Sequence, residues 1–308
     1  MIKLLEIMER KIMANDFILS CESTVDLPYS YVQNRDIPVI FYSYTVDGVD
    51  YEDDMCRTSD GFEKFFKMID DGKVPTTSQI NLYKYLDYFE ELLKAGKDIL
   101  HIAFGSGLTP SVNNARQAAE KMKEKFPDQR IVVVDSTCAC SGYGLLVDSA
   151  ADVRDEGKSI DEVAAWIEEN ANKVHHQFFN SDMRYFKRSG RVSGPTATIA
   201  TVLGICPIMR LDDKGKMIAY DKVRGKKNAI KKIVDEMVVH AGSDYNGKCY
   251  LAHANCLEDG KETVDEIVRR MPQLEGKVKV FEIGTIISSH CGPGTVALFF
   301  FGDERQPQ

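Results

Sequence analysis

The chain reads as an α/β protein of two domains, an N-terminal, mainly parallel sheet flanked by helices and a C-terminal α/β domain with a mixed sheet.

 Three observations carry this reading. Short apolar, β-branched runs alternate with helical periodicity through the first half, as crossover connections between parallel strands require. Beyond about residue 175 the alternation gives way to strands joined by tight turns, which implies a mixed sheet. The 308 residues suit two domains better than one. The expected division is 15–175 and 176–303.

The elements follow in order. "DFILS" (16–20) is a strand, and "CESTVDLPYSYVQNRD" a loop leading into a short helix. "IPVIFYSYTV" (37–46) reads as a second strand and "FEKFFKMIDDG" (62–72) as a helix stopped by glycine. In "NLYKYLDYFEELLKAG" (81–96), Leu82, Tyr85, Leu86, Phe89, Leu92 and Leu93 form one helical stripe. "DILHIAF" (98–104) and "IVVVDS" (131–136) are buried strands, with a helix over 113–126 between them and another from about Gly142 to Glu156. Ser159 and Glu162 have capping-box spacing. "HHQFFNS" is a strand, and 207–223 two strands turning at Asp212-Asp213-Lys214-Gly215. A helix (228–241), a strand (249–255), a helix (262–271) and two closing strands complete the chain. His290 is expected on a Ser-Ser-His-Cys-Gly-Pro-Gly loop between apolar runs.

Composition excludes several classes of function. The formal charge of −8 argues against nucleic acid as the main partner. Apolar runs such as Val296 to Phe301 are far short of the ~20 residues a bilayer span needs. The opening "MIKLLEIMERKIMAN" is broken by Glu6, Glu9, Arg10 and Lys11, so it reads as an amphipathic extension rather than a signal peptide. A cytoplasmic location is expected. None of the eight cysteines shows Cys-x-x-Cys spacing, and His175 and His176 are adjacent, pointing to opposite faces of a strand. No metal site or cofactor is expected from these patterns.

Ligands of parallel sheets bind in loops at the carboxyl ends of the strands. Four loops there are rich in hydroxyls: Ser23, Thr24 and Asp26 beside Glu22; Thr76, Thr77, Ser78 and Gln79; Ser106, Gly107, Thr109 and Ser111; and Ser136, Thr137 and Ser141. One such loop is ordinarily a helix cap, whereas several on one sheet edge suit an oxygen anion. "GSGLTPS" lacks the P-loop ending, "GYGLLV" lacks a third dinucleotide-binding glycine, and Ser106 is outside a Gly-x-Ser-x-Gly elbow.

The ordered set Ser23-Thr24-Val25-Asp26-Leu27, Thr77-Ser78-Gln79, Ser106-Gly107-Leu108-Thr109, Val134-Asp135-Ser136, Ser189-Gly190-Arg191-Val192-Ser193, Pro207-Ile208, Arg224-Gly225 and His290-x-Gly292-Pro293-Gly294 resembles the DegV family. The resemblance runs from Phe17 to Phe301. It implies two α/β domains around a lipid tunnel, and a fatty acid-binding protein of the kind that presents its ligand to a bacterial fatty acid kinase, in phospholipid metabolism. A long-chain fatty acid would be the ligand, with no cofactor, and a separate ATP-binding kinase subunit the partner; transient membrane contact would fit. Thr77, Ser78, Ser106 and His290 would meet the carboxylate, supported by Ser23, Thr24, Gly107, Gly292 and Gly294. Three departures stand out: Glu22 for aspartate, "GSGLTPS" for Ser-Ser-x-Leu-Ser-Gly-Thr, and Ser189 for glycine. Arg184, Lys187, Arg188, Arg191, Arg224, Lys226 and Lys227 form a basic set, of which Arg191 and Arg224 would dock the partner. The alternative is a free-standing esterase or thioesterase using Ser106 or Cys291 with His290.

Overall fold

In the computed structural model, which describes residues 16–193 and 204–307, the chain opens with β1 (Phe17–Glu22), a 3-10 turn and α1 (Tyr29–Gln33). There follow β2 (Val39–Ile40), β3 (Ser43–Val46), β4 (Val49–Glu52), α2 (Gly61–Asp70), β5 (Thr76–Ser78) and α3 (Leu82–Leu93). Next come β6 (Asp98–Ala103), α4 (Ser111–Lys125), β7 (Ile131–Asp135), α5 (Cys140–Asp155) and α6 (Ile160–Asn170). The second half has β8 (Val174–Phe179), α7 (Arg184–Ser189), β9 (Val192–Ser193), β10 (Ile205–Leu211), β11 (Met217–Arg224) and α8 (Lys226–Ala241). It closes with β12 (Cys249–His253), α9 (Leu257–Arg270), β13 (Val278–Glu282), α10 (Thr285–Cys291) and β14 (Val296–Phe301). The amphipathic opening expected before residue 16 lies outside the described residues.

Three sheets result. The first is parallel, ordered β2-β1-β6-β7. Leu19, Cys21, Ile99, Leu100 and Ile102 are fully buried, as strands covered on both faces require. The second is a small antiparallel sheet, β4-β3-β5. The third is mixed, ordered β13-β12-β14-β8-β10-β11-β9. The strands thus change sheet between β7 and β8.

Helix α5 joins the halves. Nearly every residue along it is buried, which marks a helix packed on all sides. Two glycines permit the approach: a Cβ on Gly142 would overlap the His176 ring, and one on Gly144 the carbonyl of Val25. A second apolar core, including Ile230, Ile233, Val234 and Met237 of α8, packs with Phe300 and Leu298 of β14.

Four expectations are corrected. The strand expected over 37–46 is two, because after Ile40 the Tyr42 N–H turns to Ser23 Oγ at 3.0 Å and β3 joins another sheet. The loop expected at Thr76–Ser78 is strand β5, paired with β3. Helix α7 was not expected. His290 stands in the last turn of helix α10 rather than on a loop. The β-branched Thr285, Ile286 and Ile287 favour a strand locally, but burial overrides that propensity. The hydroxyls of Ser288 and Ser289 donate to Ile283 O (2.9 Å) and Thr285 O (2.7 Å), so neither is left unpaired. The capping box is present: the Ser159 side chain accepts from Glu162 N–H, and Glu162 accepts from Ser159 N–H.

Candidate functional site

β1 delivers Glu22 to a buried position beneath the loops. Its carboxylate accepts from Tyr85 (2.6 Å) and Tyr42 (3.0 Å), with His101 Nε2 at 3.5 Å. Two tyrosine hydroxyls therefore satisfy a carboxylate that would be costly if bare. The arrangement also fixes Tyr42, whose ring forms part of a cavity wall.

That cavity, about 290 Å³, lies between the halves of the molecule. Its polar lining comprises Thr24, Thr77, Ser78, Gln79, Thr109 and His290, with Arg191 beside them. Phe104, Leu108, Met217, Ile286 and Ile287 supply apolar wall. An apolar extension of about 50 Å³ shares Ala139, Met217, Ile287 and Cys291 with it and adds Phe178, Phe186, Leu211 and Phe299.

Thr77 and His290, far apart in the chain, meet here: Oγ1 of Thr77 is 2.7 Å from Nε2 of His290. β5 brings the first and α10 the second. The helix ends at Gly292, whose φ of +73° favours glycine and whose absent Cβ leaves room for the Tyr185 ring. Asn180 secures the turn, its Nδ2 lying 3.0 Å from both Cys291 O and Pro293 O. Gly294, also at positive φ, donates its N–H to Ala254 O at 2.7 Å. Burial lowers the His290 pKa to about 4, and Arg191 and Arg188 add to the shift. The imidazole is therefore neutral at neutral pH.

Under the start of α10 lie two buried carboxyls. Asp53 accepts the Thr285 hydroxyl at 2.7 Å, and burial raises its pKa to about 6. Asp26 lies against Gly284, where burial first and Asp53 second raise its carboxyl well above the usual range.

The expected site residues separate into groups. Thr24, Thr77, Ser78 and His290 line one cavity. Ser23 supports it through its bond to Tyr42 N–H. Ser106 does not join them: it is exposed and absent from the lining, while its N–H is turned to Asp135 Oδ1 at 3.0 Å. Thr109, three residues on, lines the cavity instead. Gly107 packs against the backbone of Lys214 and Gly215, where any Cβ would collide. Arg191, expected at a docking surface, lines the cavity, so the polar part of that lining is not composed of neutral groups alone. Arg224 is remote from it: β9 pairs Val192 with Met217, and Arg224 lies seven residues further along β11, roughly 23 Å at the usual strand rise. Asn180 and Tyr42 were not picked out; a buried asparagine at a strand end was the available signal for the first.

The residues expected for ester hydrolysis are not assembled as a nucleophile and base. Ser106 lies outside the cavity, and burial pushes the Cys291 thiol up to about 12, away from the thiolate such chemistry uses.

Comparison with known proteins places this architecture. Residues 19–303 match a family model described as an uncharacterised protein of the DegV family. A DegV domain-containing protein of Clostridium perfringens is 36% identical over 291 residues, covering 94% of this chain and 99% of that protein. Among solved structures, a fatty acid-binding DegV family protein from Thermus thermophilus is similar with a TM-score of 0.81 and 26% identity, over 93% of this chain and 99% of that one. A DegV lipid-binding protein from Thermotoga maritima matches with a TM-score of 0.76 and 24% identity, covering 94% and 99%. The match over almost the whole chain establishes that this protein belongs to the DegV family.

Proposed function

We propose that this protein holds a fatty acid with its tail in the apolar part of the cavity and its carboxylate at Thr77 and His290, and presents that carboxylate to a separate ATP-binding kinase. The observation that carries the reading is a cavity with hydroxyls and a neutral imidazole at one end and an apolar extension beyond. The fatty acid-binding relative from Thermus thermophilus supports it. Each buried methylene contributes about 0.8 kcal/mol, so the tail supplies affinity while the polar end sets orientation. Ser78, Gln79 and Thr109 are the further donors available to the carboxylate. Arg191 offers a charge at the mouth, where a partner bearing anionic phosphates would approach.

Native mass spectrometry of the purified protein, before and after organic extraction, tests the binding step. A co-purifying fatty acid that extraction removes and added fatty acid restores is the expected result. Protein that never takes up a fatty acid, yet hydrolyses short acyl esters, overturns it.

A further inference from the structure

A second polar cluster lies on the opposite face of the C-terminal sheet from the cavity. β8 directs His176 toward the cavity extension, where its Nε2 accepts from Ala139 N–H at 3.1 Å. Strand alternation sends His175 to the other face. There His175 stacks on Phe300 and on His240, with ring centroids 5.2 and 4.4 Å away. Its Nε2 is 3.1 Å from Asp303 Oδ1, and His240 Nδ1 is 2.8 Å from the same oxygen.

The geometry points to a site for a divalent transition metal, zinc above all, held by His175 Nε2, His240 Nδ1 and Asp303 Oδ1. These ligand atoms all lie within 4.8 Å of one another. Ligand atoms sharing a tetrahedral zinc at bond lengths of ~2.0–2.1 Å stand roughly 3.4 Å apart. The two spacings to Asp303, 3.1 and 2.8 Å, are shorter by about 0.3 and 0.6 Å, so an ion would need the exposed Asp303 carboxylate to draw back by that much. Two imidazoles and a carboxylate suit zinc or its neighbours better than magnesium or calcium, which favour oxygen.

The surroundings fit an ion as well. The Asp303 side chain is 58% exposed, leaving a way in and room for a water as fourth ligand. Nε2 of His240 faces Glu236 Oε2 at 3.5 Å, the outer carboxylate that commonly orients a ligating imidazole. Two residues beyond Asp303, the buried Arg305 donates to Thr137 O (3.0 Å) and Thr137 Oγ1 (2.6 Å). An ion at Asp303 would thus tie β8, α8 and the C-terminal segment together, next to the loop whose Ala139 lines the cavity.

Cobalt(II) titration of the metal-free, reduced full-length protein tests this site independently of lipid binding. One equivalent is expected to bind with d–d absorption and no thiolate charge-transfer band, and zinc should displace it. His240→Ala and Asp303→Asn should abolish the signal, while Glu236→Gln weakens binding by about tenfold. Cys56→Ser should leave it unchanged. No saturable binding, or a thiolate signal that survives His240→Ala and disappears in Cys56→Ser, overturns the proposal and leaves the cluster as a hydrogen-bonded anchor.

Discussion

At the residue scale, the Thr77–His290 pair is the centre of the proposed carboxylate site. With its pKa lowered to about 4, His290 stays neutral from pH 8 to pH 6, so fatty acid affinity should change less than threefold across that range. Fluorescent fatty acid titration would measure it; a steep gain toward pH 6 would assign imidazolium a role. Under the proposed function, His290→Ala should still take up a fatty acid but slow its phosphorylation by a partner kinase by roughly 10²-fold or more, the scale of a lost positioned group. Equal rates in variant and wild type would remove His290 from that step. The sequence revealed which loops reach the cavity, but not which side chains turn into it. Ser106 and Thr109 occupy the same glycine-containing loop, which is held by the bond from Ser106 N–H to Asp135, by Gly105 N–H to Cys138 O and by Gly107 against Gly215, contacts that the sequence does not reveal.

At the scale of elements, α10 rests on carboxyls whose ionisation opposes folding. Asp53 has a folded pKa of about 6 against an ordinary value of 3.8. Between those values the folded state binds more protons, so this group's contribution falls as pH rises toward 6 and stays lost above it. Asp53→Asn keeps an acceptor for Thr285 and removes the charge. It should stabilise the protein by about 1–3 kcal/mol at pH 8, with the gain disappearing below pH 4. Urea unfolding at both pH values measures the difference; an equal effect at each would exclude ionisation as its cause. Most helices and the parallel strands were legible because periodicity and burial coincide, as in the Tyr85, Phe89 and Leu93 stripe. α10 was not, since its β-branched start favours a strand until the buried Asp53 and Asn180 contacts are known. β5 was hidden because three polar residues form a strand only through pairing with β3.

At the scale of the molecule, one buried carboxylate clamps the two halves around the cavity. Asp148 of α5 accepts from Tyr31 (3.0 Å) and Arg35 (2.6 Å) on the N-terminal side, and from Tyr250 (2.6 Å) and Lys248 on the C-terminal side. Burial would raise its pKa, but Lys248 and Tyr250 outweigh that effect and hold it below the usual range. Asp148→Ala should cost about 2–4 kcal/mol, because it leaves the Tyr250 and Tyr31 hydroxyls without their acceptor, while Arg35 keeps Asp152 and Asp155 and Lys248 keeps Asp152. Since Thr77 and His290 reach the cavity from opposite halves, the same change should also speed fatty acid release. Loss of stability alone does not predict that second effect. Ile233→Ala provides the comparison: it creates a void in the core beneath α8, among residues that do not line the site cavity, at a similar cost of about 2–5 kcal/mol. Release measured by transfer to vesicles should accelerate in Asp148→Ala and remain near wild type in Ile233→Ala. Equal acceleration in both would mean that general stability, rather than closure of the two halves, retains the ligand.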